Sequence, residues 1–160
     1  MFDDVIEANA AYARSYAHRG LEAYAARGLA VLTCMDSRID PLGMLGLVPG
    51  DAKILRNAGA RVTDDVLRTL VLARYLLRVE RVMVVPHTRC RMNGTEDDVH
   101  RAVSEAGGPD TRSISFLTAP DQVEALETDV QRIRSWPYLN DLQVGGFLLD
   151  LDTGSLRQVV

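Results

Sequence analysis

Leu29-Ala30-Val31-Leu32-Thr33-Cys34 is the stretch that decides the fold. Its apolar residues run together without the every-second-residue alternation of a half-wet strand, so it reads as a short strand buried on both faces, the kind found in a parallel sheet covered by helices. Gly28 opens it, and Asp36, Ser37 and Arg38 form its polar exit loop. Further along, Asp40-Pro41 reads as a helix start with Leu42, Met44 and Leu45 as its apolar face, and Val48-Pro49-Gly50-Asp51 as a turn. Residues 52–56 form a second strand that closes in the Asn57-Ala58-Gly59 loop. Thr63-Asp64-Asp65 then caps a periodic helix through Leu67, Leu70, Val71, Tyr75 and Leu76. A third buried strand, residues 81–85, ends at Pro86-His87-Thr88-Arg89-Cys90. Helices follow over residues 95–106, stopped by Gly107-Gly108-Pro109, and over residues 121–134. Residues 146–154 read as a strand running into a tight turn, with residues 156–160 returning as a hairpin. On the amino-terminal side, Val5, Ile6, Ala10, Tyr16, Leu21 and Tyr24 form an irregular apolar stripe, read as a helix over residues 2–27 with a break near Gly20.

Strands alternating with helices give an α/β class with a mainly parallel central sheet, flanked by helices and joined by right-handed crossovers. The chain has 160 residues, 47% of them hydrophobic and 25% charged, which suits one domain, residues 1–160, with one core. A domain of this size buries roughly 70% of the surface of its unfolded chain, so any metal it holds serves chemistry more than folding. The formal net charge of −4 carries no electrostatic footprint for nucleic acid. No apolar run approaches the ~18 residues of a membrane span, and the acidic start Met1-Phe2-Asp3-Asp4 lacks a signal-peptide pattern. A soluble, cytoplasmic protein is expected. There, Cys34 and Cys90 are thiols, metal ligands or catalytic groups in preference to a disulfide.

Ligands of open α/β sheets gather beyond the carboxyl ends of the strands. The first strand delivers Cys34 and Asp36 there, and the third delivers His87 and Cys90. Two thiolates and an imidazole suit a tetrahedral zinc ion, and three strong ligands in place of four leave the open position of a catalytic site. Asp36 stands where it either accepts a proton or hydrogen bond from a reacting water or swings in as fourth ligand, with Arg38 as its fork-shaped partner. Taken singly, each residue has a plainer reading: a buried core thiol, a loop thiol, a capping imidazole and a solvated ion pair. Their conjunction favours chemistry. A phosphatase-like loop would need Arg where Asp40 stands, and no Gly-rich phosphate loop is present.

Cys34-Met35-Asp36-Ser37-Arg38, Arg56-Asn57-Ala58-Gly59 and His87-Thr88-Arg89-Cys90 resemble the three signature blocks of the β-class carbonic anhydrases, across residues 30–92. The resemblance implies reversible hydration of carbon dioxide to bicarbonate and a proton, by zinc-bound hydroxide held on Cys34, His87 and Cys90. It implies Asp36 and Arg38 as a catalytic dyad, Asp36 as an additional zinc ligand in a closed resting state only, and Asn57 and Gly59 as pocket residues. It also implies a homodimer or higher homo-oligomer, with residues 1–27 as an interface arm; a helix packed on its own sheet is the alternative.

The chain departs from similar proteins at Arg89-Cys90-Arg91, where they usually carry a small or acidic residue before the cysteine and Gly after it. A Gly position with φ > 0 would cost Arg91 about 1 kcal/mol or more. The two guanidinium groups either hold an anion at the site or face solvent and pair with Glu96, Asp97 or Asp98. Three other readings stand beside the leading one: a carbonyl sulfide or carbon disulfide hydrolase on the same scaffold, a non-catalytic zinc- or anion-binding relative, and a metal-free domain. His18 and His100 read as solvated histidines, Trp136-Pro137-Tyr138 as a packing corner, and Tyr12, Tyr16 and Tyr24 as core or interface.

Overall fold

The structure is a computed structural model describing residues 1–160. Five strands, β1 (Leu29–Cys34), β2 (Ala52–Asn57), β3 (Arg81–Val85), β4 (Gln143–Leu149) and β5 (Leu156–Gln158), form one sheet in the order β2-β1-β3-β4-β5. The first four are parallel, and β5 returns antiparallel to β4. All six residues of β1 are buried, as expected for the central strand, and its two faces feed two separate apolar clusters.

Ala30 and Leu32 meet Val82, Val84 and Val144 beneath two helices, α2 (Asp64–Leu76) and α4 (Gln122–Arg134). Those helices contribute Leu67, Leu70, Leu126, Val130 and Ile133, spaced three or four apart so that each presents one apolar face. Gly146 lets α4 approach β4 closely, since a Cβ there would lie 2.9 Å from Leu126 and 3.1 Å from Val130. On the opposite face Leu29, Val31 and Val85 pack against Ile39, Leu47, Met92 and Leu149, which come from loops and strand ends, while Ile54, Met83 and Phe147 are only partly covered.

The third helix, α3 (Glu96–Glu105), starts at a capping box in which the Thr95 hydroxyl accepts the Asp98 N–H and the Asp98 carboxylate accepts the Thr95 N–H. Glu96 reaches back across the chain and accepts the N–H groups of Phe116 (2.8 Å) and Thr118 (2.9 Å), so it closes the loop between α3 and α4. Those backbone donors, Thr118 first, hold its pKa below the ordinary glutamate value of 4.5. A depressed carboxylate stabilises the fold fully above its unfolded pKa and loses that contribution as pH falls through the folded one. Thermal unfolding should therefore lose midpoint below pH 4.5, and Glu96→Gln should flatten that part of the profile.

Two expectations at the amino-terminal side are corrected. The helix over residues 2–27 is only α1 (Asp3–Arg14), and none of its residues is buried. The apolar residues beyond it do not keep a helical period, and the backbone there is claimed by other partners: Ala25 N–H donates to Leu77, Ala26 to Gly50 and Arg27 to Asp51. The helix expected after Asp40 is a single 3-10 turn, Gly43–Leu45. The Asp40 carboxylate takes the N–H groups of Leu42 and Gly43, and Gly46 at φ 62° ends the turn. No helix is long and apolar enough to cross a membrane.

Candidate metal centre

Thr33 of β1 lies opposite Val85 of β3, so the carboxyl ends of the two strands stand side by side. Cys34 ends β1, and the chain leaving β3 passes through His87 to Cys90. The potential ligand atoms of these three buried residues all lie within 4.8 Å of one another. Cys34 Sγ and Cys90 Sγ are 3.8 Å apart, too far for a disulfide, and both thiols are free. Two sulfurs bound at about 2.3 Å to one tetrahedral ion would be about 3.8 Å apart, so the spacing suits zinc.

His87 has no exposed surface. Its Nδ1 lies 2.8 Å from the Thr88 carbonyl, an acceptor only, so Nδ1 carries the proton and Nε2 the lone pair. That Nε2 is buried without a hydrogen-bond partner. A buried, unpaired acceptor costs about 1–3 kcal/mol, and a coordinated cation removes that cost. The donor set and its orphaned nitrogen thus fit a metal ion, and Cys34, His87 and Cys90 are positioned to bind one.

The two sulfurs lie within hydrogen-bond distance of each other. A hydrogen bond from Cys90 lowers the pKa of Cys34 strongly, while the same bond and burial push Cys90 up. Gly59 adds to the effect on Cys34 by donating its N–H to the sulfur at 3.4 Å. Burial opposes the charged form of His87, but Cys34 and the Thr88 carbonyl outweigh it and raise its pKa.

Asp36 and Arg38 form the bidentate pair expected of them. Arg38 Nε donates to Oδ1 at 2.9 Å and Nη2 to Oδ2 at 2.7 Å. These bonds hold the Asp36 carboxyl well below the usual range. Asp36 Oδ2 also lies 3.8 Å from His87 Nε2. Asn57 uses its amide at both ends of the next loop, accepting the Arg61 N–H (2.9 Å) and donating to the Arg61 carbonyl (2.7 Å). That clasp carries Gly59, at φ 78°, where a Cβ would press on Met92 at 3.2 Å.

Two residues that shape this geometry carry no assigned role in the sequence, although Arg56 stands in the second signature block. Arg56 donates to three carbonyls of the first loop, Cys34 (2.9 Å), Asp36 (2.6 Å) and Ile39 (3.3 Å), and so shapes the segment that carries Asp36. Gln122, at the start of α4, donates to the His87 carbonyl at 2.8 Å. Neither contact has a local sequence signal, since each partner is set by sheet order. The strain expected at Arg91 falls instead on Arg89, at φ 56°, and Arg89 pairs with Asp152 at 2.7 Å, not with the α3 carboxylates. His100 is half-buried, with Nδ1 3.0 Å from the Thr111 hydroxyl, so it is not a solvated surface histidine.

The family model described as Carbonic anhydrase matches residues 29–109. Beta-carbonic anhydrase 1 of Mycobacterium tuberculosis is 35% identical over 162 residues, covering 98% of this chain and 96% of the relative. The crystal structure of carbonic anhydrase from Streptococcus mutans superposes with a TM-score of 0.91 at 35% identity, covering 99% of this chain and 97% of that one. A carbon disulfide hydrolase of Acidithiobacillus thiooxidans is 28% identical over 153 residues, 82% of this chain and 76% of that protein. With three metal-binding donors at the head of a parallel sheet and relatives matched over nearly the whole length, the chain belongs to the β-carbonic anhydrase family.

Proposed function

We propose that this protein catalyses the reversible hydration of carbon dioxide to bicarbonate and a proton, with zinc held by Cys34, His87 and Cys90. The observation that carries the reading is the convergence of those donors within 4.8 Å beside an ionised Asp36. Bound zinc would supply Lewis-acid chemistry that makes a strong nucleophile of water at neutral pH. Asp36, kept ionised and oriented by Arg38, accepts the hydrogen bond or proton of the attacking water on the side of the site its Oδ2 faces. In the alternative closed arrangement Asp36 would leave Arg38 and join Cys34, His87 and Cys90 in holding the metal. The Gly59 N–H stabilises charge on the Cys34 sulfur, and Asn57 holds that loop in place as the wall of the substrate pocket. A relative named carbonic anhydrase matches 98% of the chain at 35% identity, whereas carbon disulfide hydrolases match 82% of it at 28%, or 51% and 41% of it at 40% and 47%; the full-length match favours carbon dioxide as substrate.

One purified sample tests the reading. Zinc near one equivalent per chain together with rapid carbon dioxide hydration by stopped flow is expected. Sulfide release from carbon disulfide without carbon dioxide turnover, or full zinc with neither activity, overturns it.

The working form is proposed to be a homodimer in which residues 1–27 reach across to the neighbour. Helix α1 buries nothing in its own chain and exposes Phe2, Val5 and Ile6. A groove of about 420 Å³ between α2 and the end of α4, lined by Val71, Leu72, Trp136 and Tyr138, offers apolar surface of the kind such an arm needs. Light scattering should give twice 17.6 kDa for the wild type and a single chain mass for Ile6→Asp. A monomeric wild type would refute the dimer. Two free thiols at the site suit a reducing compartment, which supports a cytoplasmic location.

A further inference from the structure

We infer that Arg89 and Asp152 act together as positioning residues that keep Asp36 paired with Arg38, beside the metal-binding donors but not among them. The inference rests on the catalytic reading above and concerns what sets the dyad in this chain. Arg38 Nη2 has two acceptors, Asp36 Oδ2 at 2.7 Å and the backbone carbonyl of Arg89 at 3.3 Å. The guanidinium is thus bracketed between the carboxylate it orients and a carbonyl from the loop that bears Cys90.

That carbonyl points where it does because Arg89 is left-handed, at φ 56°. A side chain with a Cβ adopts this conformation at a cost of about 1 kcal/mol or more, so other contacts must hold it. The loop is stitched at three points to the end of β4 and the segment that follows it. Thr88 N–H donates to the Leu149 carbonyl (2.9 Å), Leu151 N–H donates to the Thr88 hydroxyl (3.0 Å), and Arg89 Nη2 meets Asp152 Oδ1 at 2.7 Å. The turn presenting Asp152 is itself tied by its N–H to Asp150 Oδ1 at 2.8 Å.

The Arg89 and Asp152 side chains are 55% and 66% exposed. An ion pair so open contributes little to global stability. Its consequence is local. Losing it frees the strained loop, the Arg89 carbonyl moves off Arg38, and Asp36 exchanges its arginine for the metal-binding position 3.8 Å away at His87 Nε2.

Asp152→Ala and Arg89→Ala test this, since each removes the anchor and leaves at position 89 a residue with a Cβ that the left-handed backbone strains. Each should lower kcat roughly ten-fold with KM unchanged, with unfolding temperature and zinc content as in the wild type. Arg89→Lys should recover most of the loss. Independently of turnover, cobalt-substituted Asp152→Ala should show a visible spectrum altered by entry of a carboxylate, and Asp36→Asn in the same background should abolish that change. An unaltered kcat and spectrum overturn the proposal. So does a fall in kcat with an unaltered spectrum and a lowered unfolding temperature, the mark of a merely structural role. A wild type without turnover sinks the catalytic reading alone, because the cobalt spectrum still reports where Asp36 sits.

Discussion

Cys90→Ser is expected to reduce zinc from about one per chain to a small fraction and to abolish carbon dioxide hydration. Changing an outer residue that merely orients a ligand commonly costs about 10–100-fold in metal affinity or activity, so removing a ligand should cost at least about 1,000-fold. Serine keeps the shape, but its hydroxyl neither ionises near neutral pH nor offers the polarisable sulfur that suits zinc. The fold should survive, because Cys90 sits at the edge of the smaller apolar cluster, the main cluster under α2 and α4 does not include it, and serine is close to it in size. Metal analysis and stopped flow on the same preparation, with far-ultraviolet circular dichroism as control, decide the matter. Full zinc and full turnover in the serine variant would mean that Cys90 is no ligand.

The largest loss of stability is expected from Asp129→Ala. Arg61 donates from Nε to Asp129 Oδ2 at 2.6 Å and from Nη2 to Oδ1 at 3.4 Å, with side chains only 15% and 5% exposed. Its Nη1 donates to the carbonyls of Leu117 (2.6 Å) and Thr118 (3.2 Å), so one guanidinium joins α4, the loop before it and the Asn57–Arg61 clasp. Removing the carboxylate leaves that cation largely buried without its partner, at a cost of about 3–5 kcal/mol. For a domain of this length that corresponds to a drop in unfolding midpoint of roughly 10 °C. Calorimetry measures it directly. Because the clasp also carries Gly59, whose N–H meets Cys34, the variant should hold zinc less tightly as well.

Much of the sheet was legible because burial on both faces writes an unbroken apolar run. The run at residues 29–34 and that at 81–85 are β1 and β3, and the cap read at Thr63 accepts the Val66 N–H; Thr95 and Asp121, read only as the starts of helical stretches, prove to be side-chain caps as well. The amino-terminal helix is shorter than its composition suggests for the converse reason. The apolar residues of α1 face no core within the chain, while Ala25 enters the core and distant carbonyls at Gly50, Asp51 and Leu77 take up the backbone N–H groups of residues 25–27, which ends the helix early.

The sequence by itself determined the donor set. Cys34 and Asp36 must follow one buried strand and His87 and Cys90 another, and those residue types select a borderline-soft cation whatever the surrounding fold. Tertiary structure alone decided that β1 and β3 are neighbours, which brings sulfur and nitrogen within reach of one ion. It also decided the supporting contacts, Arg56 on the first loop, Gln122 on His87, Arg61 on Asp129 and Asp152 on Arg89. Each of these joins residues far apart in the chain through a side chain several ångströms long. No periodicity or local spacing encodes such a pairing, because it depends on which strands and loops the packing of the sheet sets side by side.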